Sequence, residues 1–127
     1  MQEKIAKLKS LKLLFVEDEE DLLQIIDDTL KKLNLNFETA KNGEEALKIL
    51  ERSDDIDYVI TDINMPVMNG LDMIKIIKEK QYDVGVVIMS AHTETEYITK
   101  AEEYGVEDYL LKPFDFIKFI DLMTQKI

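Results

Sequence analysis

Five side chains with chemistry to offer stand at the ends of short apolar runs. Glu17 and Asp18 follow Leu13-Leu14-Phe15-Val16, Asp62 closes Tyr58-Val59-Ile60-Thr61, Ser90 closes Val86-Val87-Ile88-Met89, and Lys112 follows Tyr109-Leu110-Leu111. Apolar runs this short, alternating with helical patterns, read as buried parallel strands. In an open parallel sheet, ligands bind outside the carboxyl ends of the strands. Carboxylates, a hydroxyl and an ammonium would therefore meet at one edge of one sheet. Carboxylates crowded together disfavour joint ionisation, so either one keeps its proton or a cation binds. Hard oxygen ligands without an adjoining histidine or thiolate point to Mg²⁺, with Mn²⁺ as the alternative. Mg²⁺ usually takes one or two carboxylates, several waters and a phosphate oxygen. That arrangement leaves Asp62 free to act as a nucleophile toward a phosphoryl group.

The elements that must position these groups alternate along the whole chain. A strand over 12–17 leads into a helix whose apolar stripe is Leu22, Ile26, Leu30 and Leu33, widened by Leu23 and Ile25. A second strand covers 36–40, and Asn42-Gly43 turns the chain into a helix carrying Ala46, Leu47 and Leu50 on one face. The third strand ends at Asp62, and a loop containing Pro66 and Gly70 precedes a helix that buries Leu71, Ile74 and Ile77. After the fourth strand, Thr93 or Thr95 caps a helix reaching Tyr104, with Gly105 as its stop. The fifth strand spans about 107–111, and a last helix from about Phe114 aligns Phe116, Ile120, Met123 and Ile127. Five strands and five helices joined by right-handed crossovers give a doubly wound, flavodoxin-like α/β sheet of order 2-1-3-4-5. Residues 1–10 are a tail or lead-in, since Ile5 and Leu8 are too few to define an element, and residues 11–127 form the one domain.

Composition narrows the function classes. The chain has 127 residues, 46% of them hydrophobic, and a net charge of -11. It is long enough for a sizeable core. The charge argues against direct nucleic-acid binding and against docking on anionic lipid, leaving protein partners. There is no cysteine, hence no disulfide or thiol chemistry. No apolar stretch approaches the roughly 18 residues that span a bilayer, and no signal peptide is evident, so a cytoplasmic location is expected.

The motifs Val16-Glu17-Asp18-Glu19, Asp62-Ile63-Asn64-Met65-Pro66 with Gly70, Ser90-Ala91 and Lys112-Pro113-Phe114 closely resemble the receiver domain of two-component response regulators. The resemblance runs from about Lys12 to the C-terminus, and the length is that of a stand-alone, chemotaxis-type receiver. It implies that Asp62 accepts a phosphoryl group from a phosphohistidine on a histidine kinase or histidine phosphotransfer protein. Asp18 and Asp62 would ligate Mg²⁺, with Glu17 assisting through water and Asn64 through its backbone carbonyl. Lys112 would pair with Asp62 or its phosphoryl oxygen, across a cis bond to Pro113. Ser90 would be the switch hydroxyl and Tyr109 its aromatic partner. Phosphorylation would reshape the surface of the helix after strand four, strand five and the final helix for a downstream target or output domain. Asn64 and His92, each two residues beyond a reacting position, would tune dephosphorylation. Phosphoryl transfer needs placement and charge neutralisation more than covalent help, which agrees with this set.

The chain departs from the family's commonest residues at Ser90, often Thr, and at Glu17, often Asp; both keep the needed group. Other classes fit less well. A haloacid-dehalogenase-type phosphatase resembles Asp-x-Asp, and Asn64 takes the place of the second acid, so general acid catalysis is missing. A flavodoxin-like cofactor carrier would want a phosphate loop where Glu17 to Asp21 repel anions. A phosphorylation-independent interaction domain of the same fold is the remaining alternative. The one arginine, Arg52, lies far from the last two helices, so the charge pattern of dimerising DNA-binding regulators is not matched, and a monomer or weak dimer is expected. The acidic run Glu94, Glu96, Glu102 and Glu103 would suit a cationic partner surface.

Overall fold

The computed structural model describes residues 2–90, 95–106 and 108–126, with Thr95 described through its backbone alone. Its elements in chain order are α1 (Gln2–Leu8), β1 (Lys12–Val16), α2 (Glu20–Lys32), β2 (Asn36–Ala40), α3 (Gly43–Arg52), β3 (Tyr58–Asp62), α4 (Gly70–Glu79), β4 (Gly85–Ser90), α5 (Thr95–Glu103), β5 (Asp108–Leu111) and α6 (Phe116–Thr124). The strands form one sheet in the order β2-β1-β3-β4-β5, and every neighbouring pair is parallel. This is the doubly wound architecture that the alternating pattern predicts.

Alternate residues of each strand face opposite layers, because the pleat reverses side-chain direction at every step. Leu14, Val16, Val59 and Ile88 pack with α3, α4 and α5 through Ala46, Leu50, Ile74, Ile77 and Ala101. Leu13, Phe15, Ile60, Val87 and Met89 pack with α2 and α6 through Ile26, Leu30, Phe119, Ile120 and Met123. With both faces covered, the strands need apolar side chains at successive positions, which is why they read as unbroken runs.

Three differences from the sequence reading have physical causes. Residues 2–8 form a sixth helix: Leu8 is fully buried in the α2–α6 layer and Lys4 Nζ meets Asp121 Oδ1 of α6 at 2.5 Å. Ile25, placed on the buried stripe of α2, is 55% exposed, because Ile26 and Leu30 already occupy the arc facing the sheet. Of the stripe Phe116, Ile120, Met123 and Ile127 on α6, Ile120 and Met123 are buried and Phe116 only partly so, because Phe119 takes the buried place against Phe15 of β1, and Ile127 lies outside the described residues. Thr93 does too, and nothing bears on the side chain of Thr95 as a cap.

Loop signals behave as their chemistry demands. Asn42 and Asn69 cap α3 and α4 by accepting from the Glu45 and Asp72 amides, and Asp115 caps α6. Gly105 closes the chain beyond α5 at φ +88, a left-handed conformation that glycine adopts without strain. Among the described residues no helix is long and apolar enough to cross a membrane.

Candidate functional site

Four neighbouring strands deliver the site. Asp62 is the last residue of β3, near the middle of the sheet, and is only 3% exposed. On one side β1 ends at Val16, in register with Thr61, so Glu17 and Asp18 emerge beside Asp62. On the other side β4 ends at Ser90, fully buried, and the Lys112 amide donates to the Ser90 carbonyl at 2.8 Å as the chain leaves β5. Parallel pairing thus gathers residues as many as 95 positions apart at one edge with no help from the loops.

The ammonium of Lys112 crosses to Asp62, donating to Oδ2 at 2.7 Å. Asp62 Oδ1 accepts from the Ile63 amide at 2.7 Å, and the Thr61 hydroxyl donates to the Asp62 carbonyl at 2.8 Å. The carboxylate is therefore fixed at both oxygens and along its backbone. The Lys112–Pro113 peptide bond is cis, as the resemblance implies.

Glu17, Asp18 and Asp62 each bring a carboxylate oxygen within 4.8 Å of the others. Asp18 is exposed while Glu17 and Asp62 are buried. Glu17 Oε1 accepts a long bond of 3.4 Å from the Glu19 amide, whereas Oε2 is buried with no hydrogen-bond partner. Burial, reinforced by the Asp62 charge and opposed by Lys112, pushes the Glu17 carboxyl up to about 7. An unpartnered buried carboxylate oxygen aimed into a cluster of hard ligands is the environment a divalent cation resolves. These residues fit Mg²⁺ by donor type, charge and number.

Of the other residues singled out from sequence, Asn64 is exposed in the loop after β3, and Tyr109 on β5 is 47% exposed. Tyr109 pairs with Ile88, two positions before Ser90, so the Tyr109 and Ser90 side chains share one face of the sheet. His92 lies outside the described residues, as do Ala91 and Glu94. Two residues were not expected at the site: Thr61, whose hydroxyl secures the Asp62 carbonyl, and Gly43, whose amide donates to the Met68 carbonyl of the loop after β3. A strand-end threonine and an Asn-Gly turn carry no local signal of such contacts.

Comparison with known proteins agrees with this geometry. The family described as the response regulator receiver domain matches residues 13–124. The two-component response regulator ARR11 of Arabidopsis thaliana is 38% identical over 104 residues, which is 81% of this chain but 20% of ARR11. The chemotaxis protein CheY-3 of Vibrio cholerae is 36% identical over 109 residues, covering 84% of this chain and 83% of CheY-3. The fold superposes with a TM-score of 0.81, at 28% identity, on a chain of the co-crystal structure of the Saccharomyces cerevisiae histidine phosphotransfer signaling protein Ypd1 with the receiver domain of Ssk1, covering 91% of this chain and 87% of that one. With four strand ends converging on one buried aspartate and the match spanning nearly all of its length, this chain belongs to the response regulator receiver domain family.

Proposed function

We propose that this receiver domain takes a phosphoryl group from a phosphohistidine onto Asp62, with Mg²⁺ bound by Asp18, Asp62 and the Asn64 carbonyl and assisted by Glu17. The observation that carries the reading is the buried Asp62 carboxylate held at 2.7 Å by Lys112 inside the carboxylate cluster. A bound Mg²⁺ would supply neutralisation of the negative charge shared by the carboxylates and the incoming phosphoryl oxygens. An oxygen of Asp62 attacks phosphorus as the phosphorus–nitrogen bond to the donor imidazole, protonated on its other ring nitrogen, breaks, leaving an acyl phosphate on Asp62 and a neutral imidazole on the donor. Lys112 then follows the new phosphoryl oxygens as it now follows Oδ2. The carboxylate is already oriented by the Ile63 amide, so little reorganisation accompanies the attack.

The donor on this reading is a histidine kinase or a histidine phosphotransfer protein. Leu22 and the 55%-exposed Ile25 on α2 stand with Pro113 and Phe114 around a cleft next to Lys112, an apolar footing for a helical donor beside the acceptor. Ser90 serves as the switch hydroxyl, moving to a phosphoryl oxygen, and the half-exposed Tyr109 turns toward the space vacated. The surface of α5, β5 and α6 changes with it, altering affinity for a target or output domain as a shift between existing states. Asn64 and His92 tune the lifetime of the acyl phosphate.

Intact mass after incubation with acetyl phosphate tests the reading. The expected result is one phosphoryl adduct that requires Mg²⁺ and disappears in Asp62→Asn. Absence of both the adduct and Mg²⁺ binding would leave the same fold acting through constitutive contacts instead.

A further inference from the structure

The loop that follows Asp62 is held in a strained shape by three backbone hydrogen bonds, one of which comes from outside it. Val67 stands at φ +67 while the Met68 amide donates to the Pro66 carbonyl at 2.7 Å, a γ-turn of the strained hand. A β-branched residue disfavours that backbone, and Val67 is 75% exposed, so its own side chain has little packing to hold it there. Within the loop, the Gly70 amide donates to the Ile63 carbonyl at 2.7 Å.

The third contact comes from α3, a helix that contributes none of the carboxylates, the hydroxyl or the ammonium. The Gly43 amide, one of the first donors of α3 that no turn of its own helix can satisfy, donates to the Met68 carbonyl at 3.1 Å. The approach is close enough that a side chain on Gly43 would force its neighbours to shift. A Cβ on Gly43 would lie 2.9 Å from Met68 Cγ, 3.0 Å from the Met68 carbonyl oxygen and 3.1 Å from Met73 Cβ. Asn42 holds the start of α3 by accepting from the Glu45 amide at 2.9 Å, so Gly43 is presented from a capped, rigid helix end.

We propose that Gly43 is a positioning residue for the phosphoacceptor loop, its bare α-carbon and amide seating Met68 so that residues 64–67 keep the Asn64 carbonyl turned to the cation site beside Asp62. The inference rests on the metal-dependent phosphoacceptor reading and adds to it a residue on an element outside the site. Overfilling this contact pushes the Met68 main chain outward, lets the strained turn relax, and moves a main-chain ligand while leaving every charged group in place.

The test is Gly43→Ala, followed by Mg²⁺ affinity from calorimetric titration, adduct formation with acetyl phosphate at saturating Mg²⁺, and urea stability. The expected result is Mg²⁺ binding weakened about tenfold or more and slower adduct formation. Ala46→Gly, a destabilising change inside the same helix, serves as the control and should lower stability while leaving the Mg²⁺ dissociation constant as in the parent. Pairing Gly43→Ala with Met68→Ala removes the nearest steric conflict and should recover part of the affinity; it also provides the reading if the single variant does not fold. Parental Mg²⁺ affinity in Gly43→Ala, in a protein whose parent forms the adduct, would overturn the inference alone. A parent that neither binds Mg²⁺ nor forms the adduct would overturn the phosphoacceptor reading, and this inference with it.

Discussion

At the N-terminal edge of the sheet Lys12 Nζ lies 3.2 Å from Asp55 and 3.5 Å from Glu38, Arg52 reaches Glu38 at 2.8 Å, and Lys126 pairs with Asp108. At the C-terminal edge a single ammonium, Lys112, faces Asp62 with Glu17 and Asp18 crowded alongside. The first edge matches charges in partly hydrated pairs, where Asp55 accepting from Lys12 holds that lysine above its usual range. The second edge buries two carboxyl groups, Glu17 and Asp62, against the Lys112 ammonium, so that burial and the Asp62 charge push Glu17 toward its protonated form. Matched pairs at a surface add little to stability, whereas an excess of like charge out of water is costly and persists where a ligand relieves it. On the proposed reading, the contrast sets the phosphoacceptor edge apart without reference to any motif.

Glu17 provides the largest test of that contrast. Its folded-state pKa is raised from 4.5 to about 7, so between those values the folded protein holds a proton that the unfolded chain has lost. Stability must therefore fall as pH rises through this window. The shift corresponds to roughly 3 kcal/mol for this group. With metal removed by EDTA, urea unfolding at pH 4.5 and pH 7.5 should show this loss in the parent, and Glu17→Gln should remove most of it. Saturating Mg²⁺ should flatten the slope as well, because a cation replaces the proton as the neutralising charge. Parallel pH profiles for parent and Glu17→Gln would assign the slope to other groups and erase the proposed difference between the two edges.

Much of this edge was legible in the sequence because β-strands impose it. Where apolar runs are parallel neighbours, the residues that close them must fall at one edge, so Glu17, Asp18, Asp62, Ser90 and Lys112 could be grouped before any coordinates. The Gly43–Met68 contact was not legible, since it joins the start of α3 to a loop that no local pattern relates to it. The exposure of Ile25 escaped for another reason: periodicity assigns a face to α2, but the sheet covers a narrower arc than the apolar stripe occupies.

Residues 2–8 illustrate a third kind of limit. Seven residues with Ile5 and Leu8 as their large apolar members make no independent helix, and α1 exists through what it packs against. Leu8 has no exposed surface and joins the layer containing Leu13, Leu30, Phe119 and Met123. Leu8→Ala should cost about 2–3 kcal/mol by urea denaturation, toward the lower part of the range for buried leucines because α1 is a short helix packed on the outside of its layer and can settle into the space. Adduct formation at Asp62 should be unchanged in the folded fraction. Loss of phosphorylation in step with stability would mean that packing at the N-terminal side governs the site, and the two edges would not be separable.

The smallest expected effect completes the comparison. Arg52 meets Glu38 at 2.8 Å, but its side chain is 62% exposed, so water and salt screen the pair and ordering the long side chain offsets part of the attraction. Arg52→Ala should lower stability by no more than about 1 kcal/mol at low ionic strength, and by less in 0.5 M NaCl. Glu38 keeps Lys12 within 3.5 Å after the substitution, so its carboxylate is not left without a counter-charge. A loss of several kcal/mol that persists in high salt would show that the N-terminal edge also depends on a buried charge balance, and charge matching would then no longer tell the structural edge from the working one.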